Sequence, residues 1–326
     1  MLVPYPVERA YDYAVPEGEE VQIGDYVLVP LGGREVTGVV WGAAAGDVDP
    51  AKVKTMHARH ALPPMAREVR EFIDWVADYT CSPRGSVLKM ALSAPDGFKP
   101  SKPQVGYRVT GDGCRLTVSE KQRAVVDVLS DGVPRIAAEV AREADVGAGV
   151  VKTLVGKGIL EQVEIVNPAP CLKPDPFRDG FDLSEEQDAV AGRLRELVKA
   201  GAYAAALIDG VTGAGKTEVY FEGVAQVLKK GRQVLILLPE IALSNAFTER
   251  FVSRFGCVPA LWHSGLSKGA RKNTWRGVAK GDVKVVIGAR SALFLPYRDL
   301  GFIVVDEEHD PAYKQEDGVI YHARDM

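Results

Sequence analysis

The run Gly210-Val211-Thr212-Gly213-Ala214-Gly215-Lys216-Thr217 fits the pattern G-x-x-x-x-G-K-[ST]. Glycines at this spacing let successive backbone N–H groups turn inward and cradle phosphate oxygens. A lysine closing the loop reaches the β- and γ-phosphates, and the next hydroxyl binds Mg²⁺. The chemistry implied is capture of a nucleoside triphosphate, with ATP and Mg²⁺ as the expected cofactors. Further along, Val304-Val305-Asp306-Glu307-Glu308-His309 ends an apolar run in acidic residues. In that position Asp306 is expected to hold Mg²⁺ through its waters, and Glu307 to orient and polarise the attacking water. Lys216, Asp306 and Glu307 are therefore the candidate catalytic residues, and Thr217 and Asp306 the candidate metal ligands.

Such groups work only if a scaffold places them at one end of a sheet. The phosphate loop follows an apolar run, Ala204 to Ile208, and opens a helical stretch from Glu218. Val234 to Leu238, Val283 to Ile287 and Phe302 to Val305 are further apolar runs, with helical segments between the first three of the four. Near-continuous apolar runs are what parallel strands covered on both faces require. Residues 177–326 thus read as one α/β lobe. Phe302 to Val305 falls near the end of a sheet that the sequence leaves incomplete.

The rest of the chain reads differently. Val27 to Pro30 and Val36 to Trp41 are short strand-like runs separated by the turn cluster Leu31-Gly32-Gly33-Arg34. A small barrel or sandwich is expected there. Residues 65–80 change to helical period, with Val69, Phe72, Ile73 and Val76 mostly on one face. Residues 81–115 are rich in Pro, Gly and Ser and read as irregular. Residues 116–166 show three short helical stretches and then the strand-like Ile159 to Ile165, the order of a winged helix; a plain helical spacer fits nearly as well. Residues 167–176 carry four prolines and read as a linker. The predicted fold is multidomain. A β-barrel-like domain with a trailing helix and irregular segment occupies 1–110, and a winged helix 116–166. A P-loop lobe with a parallel sheet follows.

Composition narrows the class. Of 326 residues, 46% are hydrophobic and 26% charged, which excludes a wholly disordered or collagen-like chain. No apolar run approaches the roughly 18 residues of a membrane-spanning helix, and no membrane partner is expected. No signal peptide is indicated at Met1 to Tyr5. Cys81, Cys114, Cys171 and Cys257 are scattered, without a CxxC pair, so neither zinc nor disulfides are indicated and a cytoplasmic setting fits. The net charge is −4, so any nucleic-acid binding must come from local groups.

Beyond the phosphate loop, several stretches agree in order with one family. The stretches GVTGAGKTEVY (210–220), LLPEIALS (237–244), WHSGLS (262–267), IGARSALFLP (287–296), VVDEEHDPAYKQ (304–315) and YHARD (321–325) together resemble the primosomal replication-restart DNA helicases of superfamily two. The resemblance runs from about Pro6 to Met326. It implies an ATP-dependent helicase that moves 3′ to 5′ on DNA. Such an enzyme recognises abandoned forks through the 3′ end of the nascent strand and promotes primosome assembly. Its implied partners are forked and single-stranded DNA, primosome proteins and single-stranded DNA-binding protein. Zinc is implied only for a C-terminal cysteine-rich region outside these residues.

The resemblance also implies roles for particular residues. Gln187 would use its amide on the adenine edge; equally, Ser184 and Gln187 form a capping box that starts a helix. Pro239, Glu240, Ser244, His263, Ser264, Arg290 and Ser291 would line a single-strand track. Tyr313, Lys314, Gln315, Tyr321, His322 and Arg324 match an aromatic-rich loop that couples DNA contact to ATP turnover. The other reading of that loop is one packed on its own aromatics. Tyr11, Asp12, Tyr13, Gly32 and Lys54 match a 3′-end pocket in which Asp12 accepts a hydrogen bond from a 3′-hydroxyl. Asp12 also reads as a turn residue between packed tyrosines.

Three positions depart from the family pattern, all on the DNA side. Ala289 stands where a threonine is usual, while Ile320 and Glu35 stand where basic residues are usual. The second helicase lobe, with its catalytic arginine, that the resemblance implies is not expected within these residues. The loss of such an arginine typically costs about 10³–10⁵ in turnover. The chain alone is therefore expected to bind nucleotide weakly and hydrolyse it negligibly. The alternative function is a fork-binding module with nucleotide binding and no productive ATPase.

Overall fold

A computed structural model gives the architecture of residues 1–44, 46, 48–99, 104–110, 119–130, 132, 134–165, 171, 173–211, 213–240 and 245–326. In chain order the N-terminal elements are β1 (Tyr13–Ala14), β2 (Tyr26–Leu31), β3 (Arg34–Val39), β4 (Lys54–Thr55), β5 (Ala58–Arg59), α1 (Arg67–Tyr79) and α2 (Arg84–Ala91). Next come β6 (Gln104–Val109), α3 (Glu120–Val128), β7 (Arg135–Ile136), α4 (Ala137–Glu143), α5 (Ala148–Gly156) and β8 (Leu160–Ile165). The last part holds α6 (Glu185–Ala200), α7 (Lys216–Lys229), β9 (Gln233–Leu237), α8 (Asn245–Phe255), β10 (Ala260–Trp262), α9 (Lys268–Lys280), β11 (Val285–Gly288), β12 (Leu300–Val305), β13 (Lys314–Gln315) and β14 (Tyr321–His322). The chain divides into two compact units, Pro100–Pro168 and the remainder.

In the larger unit, β2 and β3 form a hairpin in register from Tyr26↔Val39 to Leu31↔Arg34. Its two-residue turn puts Gly32 at φ +55 and Gly33 at φ +81. Both angles are left-handed, which fits the type I′ turn and explains the paired glycines. β5 pairs on the other side of β2, and β1 pairs parallel to β4, so the N-terminal strands form two small sheets. Side chains alternate along β2. Val27 and Val29 join a small core with Met56, whereas Tyr26 faces a larger core.

That larger core does not stop at the N-terminal region. Ile73, Val76, Val87 and Leu88 from α1 and α2 share it with Trp275 of α9 and Phe294. The Trp275 indole N–H donates to the carbonyl of Ala91 at 2.8 Å. Its ring meets Phe98 edge-on at 4.8 Å and Tyr26 at 5.7 Å. The N-terminal strands and the α/β lobe are therefore packed as one body, although a proline-rich stretch separates them in sequence.

The lobe's sheet has the order β10-β11-β9-β12, all parallel. Every residue of β9 and β11 is buried, in keeping with their apolar runs. β12 lies at an edge of this sheet, and Ile303 on it is 44% exposed. The strand expected over Ala204 to Ile208 is absent. The segment lies outside the sheet, with Leu207 81% exposed. Three alanines offer little apolar area, and an edge position gives a strand a single neighbour.

The smaller unit pairs β6 antiparallel with β8 from Gln104↔Ile165 to Val109↔Leu160, and β7 lies on the other side of β6. Val125, Leu129, Val140, Val151 and Leu154 of α3, α4 and α5 form its core with Ile159 and Leu160. β6 and α2 both fall in the stretch read as irregular. β6 is recruited by a partner about fifty residues later. α2 has a mixed sequence, and its Val87, Leu88 and Ala91 are held by the core. The expected linker lies partly outside the described residues.

Candidate nucleotide site and DNA-side residues

α7 starts at Lys216, and Gly215 immediately before it adopts φ +76. Gly213 has φ +82. These left-handed angles turn the loop so that its N–H groups face the space in front of the helix N-terminus, where the helix dipole favours anions. The Lys216 Nζ donates to the carbonyl of Gly210 at 2.8 Å, so the lysine lies along its own loop. Thr212 lies outside the described residues. α6 starts at Ser184 with the capping box intact: Ser184 N–H donates to Gln187 Oε1 at 2.8 Å. The same amide donates from Nε2 to Ala214 O at 2.9 Å. A side chain at Gly215 would place its Cβ 2.4 Å from that nitrogen. Gln187 thus caps a helix and braces the phosphate loop at once.

Asp306 follows the C-terminal end of β12, and its N–H donates to Leu237 O at the end of β9, at 3.1 Å. Its Oδ1 accepts from the N–H of Glu307 at 3.0 Å, and its Oδ2 accepts from the hydroxyl of Tyr220 at 2.9 Å. Glu307 has φ +49, a left-handed angle uncommon for glutamate. Such strain clusters where a side chain must be aimed. A cleft of about 530 Å³ is lined by Gln187, Gly213 to Thr217, Asp306 and Glu307. The residues singled out for phosphate, metal and water chemistry thus line one space at the carboxyl ends of two strands, where α/β sheets bind ligands.

Two lining residues were not foreseen. Glu218 and Arg250 face the same cleft, with Arg250 Nη1 3.7 Å from Glu218 Oε1. Arg250 belongs to α8, well separated from the motif, and nothing in its local sequence marks it.

The acidic strand end is tied to the loop beyond it. Tyr313 directs its hydroxyl to Asp306 O at 2.6 Å and to Leu237 O at 3.0 Å. Arg290 donates to the carbonyls of Ala312 and Lys314. Arg324 pairs with Glu308 at 2.7 Å and with Asp325 at 3.1 Å. Tyr313 is 1% exposed and Tyr321 6%, the latter edge-on to Phe294 at 5.2 Å. Both rings lie in the core. Lys314 and Ser291 are exposed, and His322 is half-buried. Glu240 accepts from the Ser264 N–H, and hydrogen bonds from Ser264 hold its carboxyl below the usual range. Ser244 lies outside the described residues.

At the N-terminal end, Tyr13 pairs with Lys54 and donates its hydroxyl to Pro30 O at 3.0 Å, beside the Gly32 turn. Tyr13, Lys54 and the hairpin tip are therefore neighbours. Tyr11 is exposed and Asp12 half-buried. Of the departures, Glu35 pairs with His57 at 2.7 Å. Ala289 is buried with its N–H on Trp262 O at 3.0 Å, and Ile320 is 60% exposed.

Comparison with known proteins gives two family matches. Residues 1–93 match the 3′DNA-binding domain (3′BD) family of PriA, and residues 193–326 match DEAD/DEAH box helicase. Replication restart protein PriA of Rickettsia conorii is 36% identical over 326 residues, covering 98% of this chain and 39% of its own length. That of Haemophilus influenzae is 32% identical, covering 98% and 45%. That of Bacillus subtilis is 29% identical, covering 98% and 49%. The chain thus spans less than half the length of the curated relatives it matches.

Proposed function

Because this chain belongs to the PriA family of replication-restart proteins, we propose that it is the fork-recognising and nucleotide-binding part of an ATP-dependent 3′ to 5′ DNA helicase. The observation that carries this reading is the single cleft shared by Lys216, Thr217, Asp306 and Glu307. The donor set fits Mg²⁺ and a triphosphate: a left-handed glycine loop, one lysine, one hydroxyl and two carboxylates. Lys216 and the loop N–H groups would hold phosphate oxygens, while Thr217 and Asp306 would hold the metal and its waters. The bound metal neutralises charge on the phosphates. Glu307, aimed by its backbone angle, would accept a hydrogen bond from the water that attacks.

The helices and three-stranded sheet of Pro100–Pro168 support a winged helix, and the N-terminal strands support the barrel-like 3′-end domain. In that domain Asp12, beside Tyr13 and Lys54, would accept the terminal 3′-hydroxyl. The DNA track would run over exposed Ser291 and Lys314 and half-buried His322. Primosome proteins and single-stranded DNA-binding protein are the proposed partners, in the cytoplasm.

Tyr313 supports the coupling of DNA contact to ATP turnover, since its hydroxyl joins the post-strand loop to the backbone of Asp306. A second reading, nucleotide binding without turnover, is favoured by the position of Ala204 to Ile208 outside the sheet. Steady-state ATP hydrolysis by this chain, with and without forked DNA, separates the two. DNA-stimulated turnover supports the helicase part as catalytic; binding of labelled ATP with no turnover supports the second reading.

The 3′-end reading has its own test. A 3′-phosphate on the nascent strand should weaken fork binding about tenfold, roughly 1.4 kcal/mol, because two anions oppose each other. With Asp12→Ala the same phosphate should cost about twofold or less. Equal weakening of both proteins removes Asp12 from that role.

A further inference from the structure

One buried side chain holds a carboxylate read as a metal-side ligand. Tyr220 lies one helical turn after Lys216 on α7 and is 3% exposed. Its Oη donates to Asp306 Oδ2 at 2.9 Å. The other Asp306 oxygen is taken by the Glu307 N–H at 3.0 Å.

Packing alone would not require this hydroxyl. The ring meets Phe221 edge-on at 5.3 Å in an apolar cluster, a place that phenylalanine would fill equally well. The hydroxyl occupies one of the roughly four lone-pair positions of a carboxylate. Together with the Glu307 N–H it removes the freedom of Asp306 to rotate.

We propose that Tyr220 is a positioning residue of the metal–nucleotide site, fixing the Asp306 carboxylate so that its free lone pairs serve the metal's waters. This rests on the reading of Asp306 as a metal-side group. Groups that orient a ligand in this way typically cost about 10–100-fold in metal affinity when removed.

The test uses the full chain with Mn²⁺ as probe, read by electron paramagnetic resonance in the presence of ADP. Nucleotide affinity is measured in parallel in EDTA with a fluorescent ADP. Tyr220→Phe should hold nucleotide in EDTA within about twofold of wild type but bind Mn²⁺ about tenfold more weakly. Tyr220→His keeps an N–H donor and should recover part of that loss. Wild-type Mn²⁺ affinity in Tyr220→Phe, with Asp306→Asn weakened, overturns the proposal and leaves the site reading standing. So does an equal loss of nucleotide affinity with and without metal, or failure of both Tyr220 variants to fold, because the side chain is then structural. If wild type and Asp306→Asn bind Mn²⁺ alike, the metal-site reading itself fails.

Discussion

Replacing Lys216 with alanine should raise the Kd for ATP about a hundredfold and leave binding to forked DNA unchanged. The magnitude follows from the bonds lost. A charge-assisted hydrogen bond contributes about 1.5–3 kcal/mol, and the upper end of that range is roughly a hundredfold in Kd. The fold should tolerate the change, because among the described residues the Lys216 ammonium bonds to the carbonyl of Gly210 on its own loop. The helix that follows is held by buried Val219, Phe221 and Val224. Of the proposed DNA-side residues, Lys54 pairs with Tyr13 and Lys314 with Glu316, away from this loop. Titration of a fluorescent ATP and of a labelled fork against both proteins checks each half. Undiminished ATP affinity would remove the phosphate loop from its role. A parallel loss of fork binding would show instead that the substitution disturbs the whole body.

What the sequence made legible follows from the range of the interactions. The phosphate loop depends on eight adjacent residues, and Gly213 and Gly215 adopt the left-handed angles that their spacing implied. β9 and β11 announce themselves because a strand covered on both faces must be apolar throughout, and β12 carries a similar apolar run at the sheet's edge. The capping box at Ser184 and Gln187 was equally local. What Gln187 also does, bracing Ala214, needed a neighbour 27 residues away. Aromatic identity was the weakest guide. A tyrosine in a loop can stack on a base or fill a core, and Tyr313 and Tyr321 fill the core because β13 and β14 fold them under Phe294 and the end of β9. Arg250 was invisible for a related reason. It reaches the cleft only once α8 is set beside α7, which no local pattern encodes. The run Ala204 to Ile208 shows the opposite failure: a strand-like composition whose small side chains and lone edge neighbour leave it outside the sheet.

Trp275 is the clearest case of long-range order, and Trp275→Ala should destabilise the larger unit by about 3–5 kcal/mol, the usual cost of emptying a buried aromatic site. The indole is 0% exposed and touches three parts of the chain. It bonds Ala91 at the end of α2, meets Phe98 and Tyr26, and lies against Gly97 so closely that a Cβ there would fall 2.7 Å from the ring. Its neighbour Arg276 donates to Gly97 and Lys99 at 2.9 and 2.8 Å, fastening the same junction. The ring is thus the main apolar contact by which α9 of the lobe holds the N-terminal strands. Its removal leaves a cavity that rigid neighbours on both sides cannot close, and leaves Ala91 O without its donor. For a unit of this size, each kcal/mol lowers Tm by about 2–4 °C, so a fall of roughly 10 °C is expected by calorimetry. The wild-type unit should melt in one transition because its two parts share a core. The variant should show the N-terminal part releasing first, as an early transition or as proteolysis between Lys99 and the lobe. A shift under about 2 °C with one unchanged transition would show that the two parts are held together by other contacts.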